Sequence, residues 1–150
     1  MAKLTRTAIV EGPVEKVFSL LDEPSALPFL YNCVAQISDV RRTGRRLGDT
    51  FRGTFSVVGV QFDVRFTRTE HAPPLKFVER FEGAMTGVMT FNLEPQGSST
   101  RVSLEADYKI SRGLIGRIVN RLLFEQVAEK NADRILENLA ILVDSTEAKS

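Results

Sequence analysis

Acid–base chemistry has few places to happen in this chain. The sequence holds one histidine, His71, and one cysteine, Cys33. His71 precedes Ala72-Pro73-Pro74 and reads as a solvent-exposed loop residue. A catalytic histidine needs a positioned nucleophile and an orienting partner, and the sequence supplies neither. One Cys and one His give no chelating spacing, so no metal and no cofactor are expected. Cys33 opens a strand, where a small semi-buried residue needs no function; a reactive thiol would need electropositive surroundings. Glu79 is the stronger candidate. Phe77, Glu79 and Phe81 alternate, and period 2 puts all three on one strand face. With the phenylalanines facing in, Glu79 is a buried carboxylate of raised pKa, able to move a proton or bind a ligand hydroxyl. In the opposite register Val78 points in and Glu79 pairs outside with a neighbouring cation. Arg6 shares a face with Ala8 and Val10, so it either neutralises Glu79 inside or is solvated outside. Arg41, Arg42, Arg45 and Arg46 surround one turn at Thr43-Gly44. Arginine suits phosphate, but no stacking aromatics interleave, so a solvated hairpin is expected and no nucleic-acid partner.

The elements that must hold these residues follow from periodicity. Ser111 to Asp144 reads as one long amphipathic helix, with Leu114, Ile118, Leu122, Phe124, Ala128, Ala132, Ile135, Leu139 and Leu142 at helical spacing. Its first half is apolar on a second side, through Ile115, Val119, Leu123 and Val127. Before it, Leu4–Val10 reads as a strand and Val14–Leu21 as a helix. A second short helix is expected from Pro24 to about Leu30. Six strands then follow in a meander: 34–42, 50–57, 60–69, 75–81, 85–93 and 100–110. Phe51, Gly53, Phe55 and Val57 share one face, as do Val60, Phe62, Val64 and Phe66, the pattern of half-buried antiparallel strands. Segregated strands and helices indicate an α+β domain over residues 1–144, with a polar, frayed tail at 145–150. The economical packing curves a seven-stranded sheet around the long helix.

Bulk properties narrow the class. A chain of 150 residues, 43% hydrophobic and 26% charged, is an ordinary single globular domain. Its net charge of +1 makes no whole-chain case for nucleic acid or membrane. No apolar run approaches the roughly 20 residues that span a bilayer, and Met1–Arg6 has no signal-peptide core. With a lone cysteine, a cytoplasmic protein is expected.

The order of elements resembles the helix-grip domains of the START, birch-pollen-allergen (Bet v 1) and polyketide-cyclase superfamily. The residues that carry this are Val10-Glu11-Gly12-Pro13-Val14-Glu15-Lys16-Val17-Phe18, Leu21-Asp22-Glu23-Pro24 and Leu27-Pro28-Phe29-Leu30. Leu47-Gly48-Asp49-Thr50-Phe51, Pro73-Pro74-Leu75, Leu93-Glu94-Pro95 and Ser99-Thr100-Arg101-Val102 are similar to its strand-edge motifs. Thr5–Val10 and Phe29–Cys33 also resemble the coenzyme-Q-binding branch, which includes a ribosome-associating toxin. That branch has Pro-Gly or Trp before the Cys, where this chain has Tyr31-Asn32.

The resemblance implies a small hydrophobic ligand: a lipid, polyketide, isoprenoid or aromatic compound held between sheet and C-terminal helix. Phe51, Phe55, Phe62, Phe66, Phe77 and Phe81 are candidate walls. Met85, Met89, Phe91 and Tyr108 extend them, giving more aromatic and sulfur surface than a helix-on-sheet interface requires. Small Ala128 and Ala132 in the helix stripe leave most room, so the cavity is expected beneath them. The alternatives are a polyketide-cyclase-like enzyme, with Glu79, Arg6 or Tyr108 moving protons, and a quinone-binding or ribosome-associated protein. The apolar tip Val57-Val58-Gly59-Val60 is expected as a cavity lip, a homodimer contact or a membrane-touching loop.

Overall fold

The computed structural model of the chain describes residues 2–43 and 47–147. β1 (Ala2–Val10) leads through Gly12-Pro13 into α1 (Val14–Asp22), and the Pro13 carbonyl accepts the Lys16 and Val17 N–H groups at 3.1 Å. A 3₁₀ turn, Pro24–Ala26, and the one-turn α2 (Leu27–Leu30) follow. The meander is β2 (Val34–Arg41), β3 (Thr50–Val57), β4 (Val60–Ala72), β5 (Lys76–Gly83), β6 (Met85–Gln96) and β7 (Ser99–Ile110). All seven strands form one antiparallel sheet in the order β1-β7-β6-β5-β4-β3-β2. β1 and β2 are therefore opposite edges, and α1 and α2 carry the chain between them across the open face.

The expected single helix is broken. α3 (Arg112–Ile115) is capped by the Ser111 hydroxyl, which accepts the Leu114 N–H at 3.2 Å. A linker, residues 116–120, precedes α4 (Arg121–Glu147), where the Asn120 side chain accepts the Leu123 N–H at 3.0 Å. Gly116 is a poor helix former and Asn120 a preferred cap, so two local signals outweigh the continuous apolar stripe. Among the second-side residues Val119 and Leu123 are exposed, whereas Ile115 and Val127 are partly buried. α4 is 27 residues long, about 40 Å. It buries Phe124, Ala132, Ile135, Leu136, Leu139 and Val143 against the sheet, α1 and α2. The helix reaches Glu147, into the stretch expected as tail; residues 148–150 lie outside those described, as do Arg45 and Arg46.

One irregularity in β4 matters for the interior. Arg68 pairs with Glu79, but Glu70 pairs with Val78 and His71 with Phe77, so β4 takes up one extra residue. Strict alternation from Phe62, Val64 and Phe66 would turn residue 71 outward. The bulge reverses that parity and brings His71 onto the inner face beside Phe77.

Candidate functional site

The inner face of the sheet divides into an apolar cavity at one end and a buried ion cluster at the other. The cavity lies between the sheet and α4, with a volume of about 130 Å³. β3 and β4 supply Phe55, Val57, Phe62, Val64 and Phe66; β5 and β6 supply Phe81, Met85 and Met89. Tyr108, Ala106 and Leu104 of β7 and Leu4 of β1 close one side. Phe124, Ala128, Asn131, Ala132 and Ile135 of α4 form the roof, and Tyr31 and Cys33 the far wall. Stacked rings stiffen this wall: Phe55 and Phe62 stand 5.6 Å apart at 8°, Phe55 and Phe66 6.0 Å apart at 30°.

Of the residues expected to line a cavity, Phe55, Phe62, Phe66, Phe81, Met85, Met89, Tyr108, Ala128 and Ala132 do so. Phe51, Phe77, Phe91 and Glu79 do not. Phe51 stacks on Phe66 at 4.9 Å, and Phe77 packs on Phe91 at 5.0 Å and edge-on to Phe18 at 5.6 Å. Phe77 and Phe91 belong to the filled core beneath Phe18 of α1, which packs on that part of the sheet.

Glu79 faces inward, but onto a cation. Arg68 Nη2 donates to Glu79 Oε1 at 2.7 Å, and Arg68 Nη1 donates to Asp22 Oδ1. His71 Nε2 lies 3.2 Å from Asp22 Oδ2. The guanidinium carbon sits 4.3 Å from the Phe77 ring centre, and the imidazole 5.6 Å from Phe18. His71 is thus a largely buried strand residue rather than a solvent-exposed loop one. Backbone bonds fix Arg68 from the preceding loop: Gly48 N–H donates to its carbonyl at 2.8 Å, and its own N–H donates to the Asp49 carbonyl at 2.9 Å. Arg68 Nε and Glu79 Oε2 make no hydrogen bond. Two carboxylates therefore share one guanidinium. Burial pushes Asp22 up, but the hydrogen bonds and charges of Arg68 and His71 outweigh it and hold the carboxyl below its ordinary value. For Glu79, burial wins over Arg68, with Asp22 and Asp49 adding repulsion, so its carboxyl is raised.

The sequence gives no role to Arg68, nor to Asp22 beyond its place in Leu21-Asp22-Glu23-Pro24, although signals exist. Arg68 continues the Phe62–Val64–Phe66 period, and Asp22 follows Phe18 by four, which shares a helix face. Arg6 does not reach Glu79. Its Nε donates to Asp133 Oδ1 of α4 at 2.5 Å in a half-exposed pair. Arg42 pairs with Glu23 at 2.7 Å, tying the end of β2 to the first turn after α1.

The polar groups of the cavity are few and neutral. The Tyr31 hydroxyl points at Met89 Sδ, 3.4 Å away. Burial, then the negative charge of Glu79, holds that phenol well above its ordinary value. Tyr108 is raised by burial and by Glu125 and Glu129 of α4. Burial pushes the Cys33 thiol up to about 11. Both phenols stay protonated and can donate a hydrogen bond, and the thiol is not activated for attack. No Asp, Glu, Lys, Arg or His lines the cavity among the described residues.

A seven-stranded antiparallel sheet gripping a C-terminal helix over such an interior defines a START-type helix-grip domain. The chain belongs to the polyketide cyclase / dehydrase and lipid transport family, whose model matches residues 1–144. No curated protein matches the sequence. Among solved structures, a protein from Thermus thermophilus is similar at TM-score 0.81 and 20% identity, over 97% of this chain and 99% of that one. A START superfamily protein from Mycobacterium smegmatis has TM-score 0.78 and 13% identity, over 96% and 98%. The Zhui aromatase/cyclase from Streptomyces sp. R1128 has TM-score 0.79 and 15% identity, over 95% and 93%. At these identities the likeness is one of fold.

Proposed function

We propose that the chain binds a small, uncharged, mostly apolar molecule between the sheet and α4. The observation that carries this is the cavity beneath Ala128 and Ala132, walled by Phe, Met and aliphatic side chains and free of lining charges among the described residues. Apolar sites with a few placed polar groups are the general form of small-molecule pockets. The volume sets a scale. At 130 Å³, a little below the roughly 150 Å³ of an apolar cavity that takes benzene, the enclosed space holds about one six-membered ring. That favours a single ring or a short isoprenoid segment in the enclosed part, with a second ring or the rest of a larger ligand projecting through the opening. The hydroxyls of Tyr31 and Tyr108 would orient a carbonyl or hydroxyl on it.

Naphthalene, titrated by fluorescence, should bind the wild-type chain. Ala128→Phe should place a ring in the cavity and weaken binding by about tenfold or more, roughly 1.4 kcal/mol, while melting cooperatively. Unchanged affinity in a folded Ala128→Phe variant would remove the assignment. Native mass spectrometry of the purified chain reads the resident class: lipid, polyketide, isoprenoid, quinone or other aromatic.

A cyclase-like enzyme is the second reading, favoured by the two protonated phenols. Of the groups that sequence offers as proton carriers, Tyr108 alone lines the cavity, since Glu79 is held by Arg68 and Arg6 by Asp133. It requires turnover that Tyr108→Phe lowers without changing ligand affinity.

A further inference from the structure

Among the described residues, exposed large apolar side chains are scattered over the surface, at Ile9, Phe29, Leu75 and Ile141 for example, but four of them lie around one edge of the cavity. Val119 is 101% exposed, Leu122 67%, Leu123 41% and, at the β3–β4 tip, Val58 46%. The two elements touch: Arg117 Nη2 of the linker donates to the Gln61 carbonyl at 2.5 Å, just beyond the tip. Phe62 beside it stands 6.2 Å from Phe124 on the first turn of α4. Val57, Phe62 and Phe124 also line the cavity.

We propose that this edge, the β3–β4 tip with the α3–α4 linker, docks the protein on an anionic lipid bilayer. Charge is the first support. Residues 109–124 carry Lys109, Arg112, Arg117 and Arg121 and no acid. The whole chain is +1, so the remainder is −3 (+1 − 4). The near-neutral total hides a cationic edge, at whose margin Glu125 pairs with Arg121 at 3.1 Å. Exposed valine and leucine interleaved with arginine is the composition of interfacial segments that bury apolar tips among anionic headgroups.

Backbone conformation is the second. Val58 has φ 49 and Gly59 φ 76, the two-residue turn with both central residues left-handed. A β-branched residue is an outlier there, and Asn, Asp or Gly would cost less. Valine at that site adds exposed apolar surface and strain, which a surface that receives it would offset.

A second copy of the chain fits less well. A two-fold interface sets the same patch against itself, and Lys109, Arg112 and Arg117, with only Arg121 offset by Glu125, would face the same cations again. Nucleic acid would match the charge but leave the valines and leucines unpartnered. The proposal does not rest on what the cavity holds, because docking is read with no ligand added.

The test is co-sedimentation of the full chain with phosphatidylglycerol–phosphatidylcholine vesicles. We expect binding that salt weakens and that phosphatidylcholine alone does not support. Arg112→Gln should lower partitioning about fivefold, the effect of one cation near an anionic surface. Val119→Ser with Leu122→Ser should lower it at least tenfold. Val58→Asn should also weaken binding while raising the melting temperature, which separates docking from misfolding. Binding to neither vesicle, or unchanged binding by the Val119/Leu122 double variant, overturns the proposal. So does a dimer, seen by sedimentation velocity, that the double variant dissociates, or retention on RNA that depends on the same residues.

Discussion

Replacing Arg68 with methionine tests the ion cluster most directly. The Asp22, Glu79 and Arg68 side chains expose only 8%, 6% and 5% of their surface, so neither carboxylate can turn to water when the cation is removed. Methionine keeps much of the stem's volume and leaves two buried carboxylates without a guanidinium. Breaking a buried pair in this way costs about 3–5 kcal/mol, against about 5–15 kcal/mol for a whole domain. Arg68→Met should therefore stand near the edge of stability around pH 7. Its pH dependence should also change. In the wild type the two carboxyls pull in opposite senses. Asp22 is held below its ordinary value of 3.8, so its contribution is present above that pH and lost as acid protonates the folded state. Glu79 is raised, so its contribution is greatest in acid and is lost as pH rises through the folded value. Without Arg68, burial and mutual repulsion raise both. The variant should then regain stability from about pH 7 to about pH 5, by up to about 1.4 kcal/mol per pH unit per carboxyl. Glu79→Gln keeps the Asp22–Arg68 contact and an acceptor for Nη2, so it should stay within about 1 kcal/mol of wild type. Because Glu79 lies off the cavity wall, ligand affinity should stay within about twofold as well. Urea titrations of the three proteins at three pH values decide this. A loss below about 1 kcal/mol in Arg68→Met, or a gap that acid does not narrow, refutes the shared-cation account.

Two further outcomes follow from the sheet and the thiol. A Cβ at position 87 would stand 2.0 Å from the Asp107 carbonyl oxygen and 2.9 Å from Phe81 Cζ. Gly87→Ala should therefore cost about 3 kcal/mol or more, and an unchanged thermal midpoint would contradict the packing of β6 against β7. With Cys33 raised from 9.0 to about 11, its thiolate fraction near pH 8 falls about a hundredfold. Disulfide-exchange reagents should label the folded chain far more slowly than the unfolded one, and naphthalene should slow labelling further. Equal rates would mean that the cavity wall at Cys33 is open to solvent.

The sequence alone determined the element order and the inward faces. Period-2 alternation in 51–66, 85–93 and 102–110 can be buried only one way, because a slip of one residue turns the whole apolar set to solvent. The small residues of the helix stripe, Ala128 and Ala132, likewise marked where the interior has room. Three matters were decided only by tertiary structure. A single extra residue in β4 turned His71 inward, and no local pattern announces a bulge. The sequence left two registers open for Glu79 and did not show its partners, since Arg68 and Asp22 are brought to it by β4 pairing and by the way α1 crosses the sheet. The division of one aromatic stripe into a filled core at Phe77 and Phe91 and a cavity at Phe55, Phe62 and Phe81 depends on where α1 stops covering the sheet and α4 takes over. Cavity walls and core share the same residue types, and only the covering element distinguishes them.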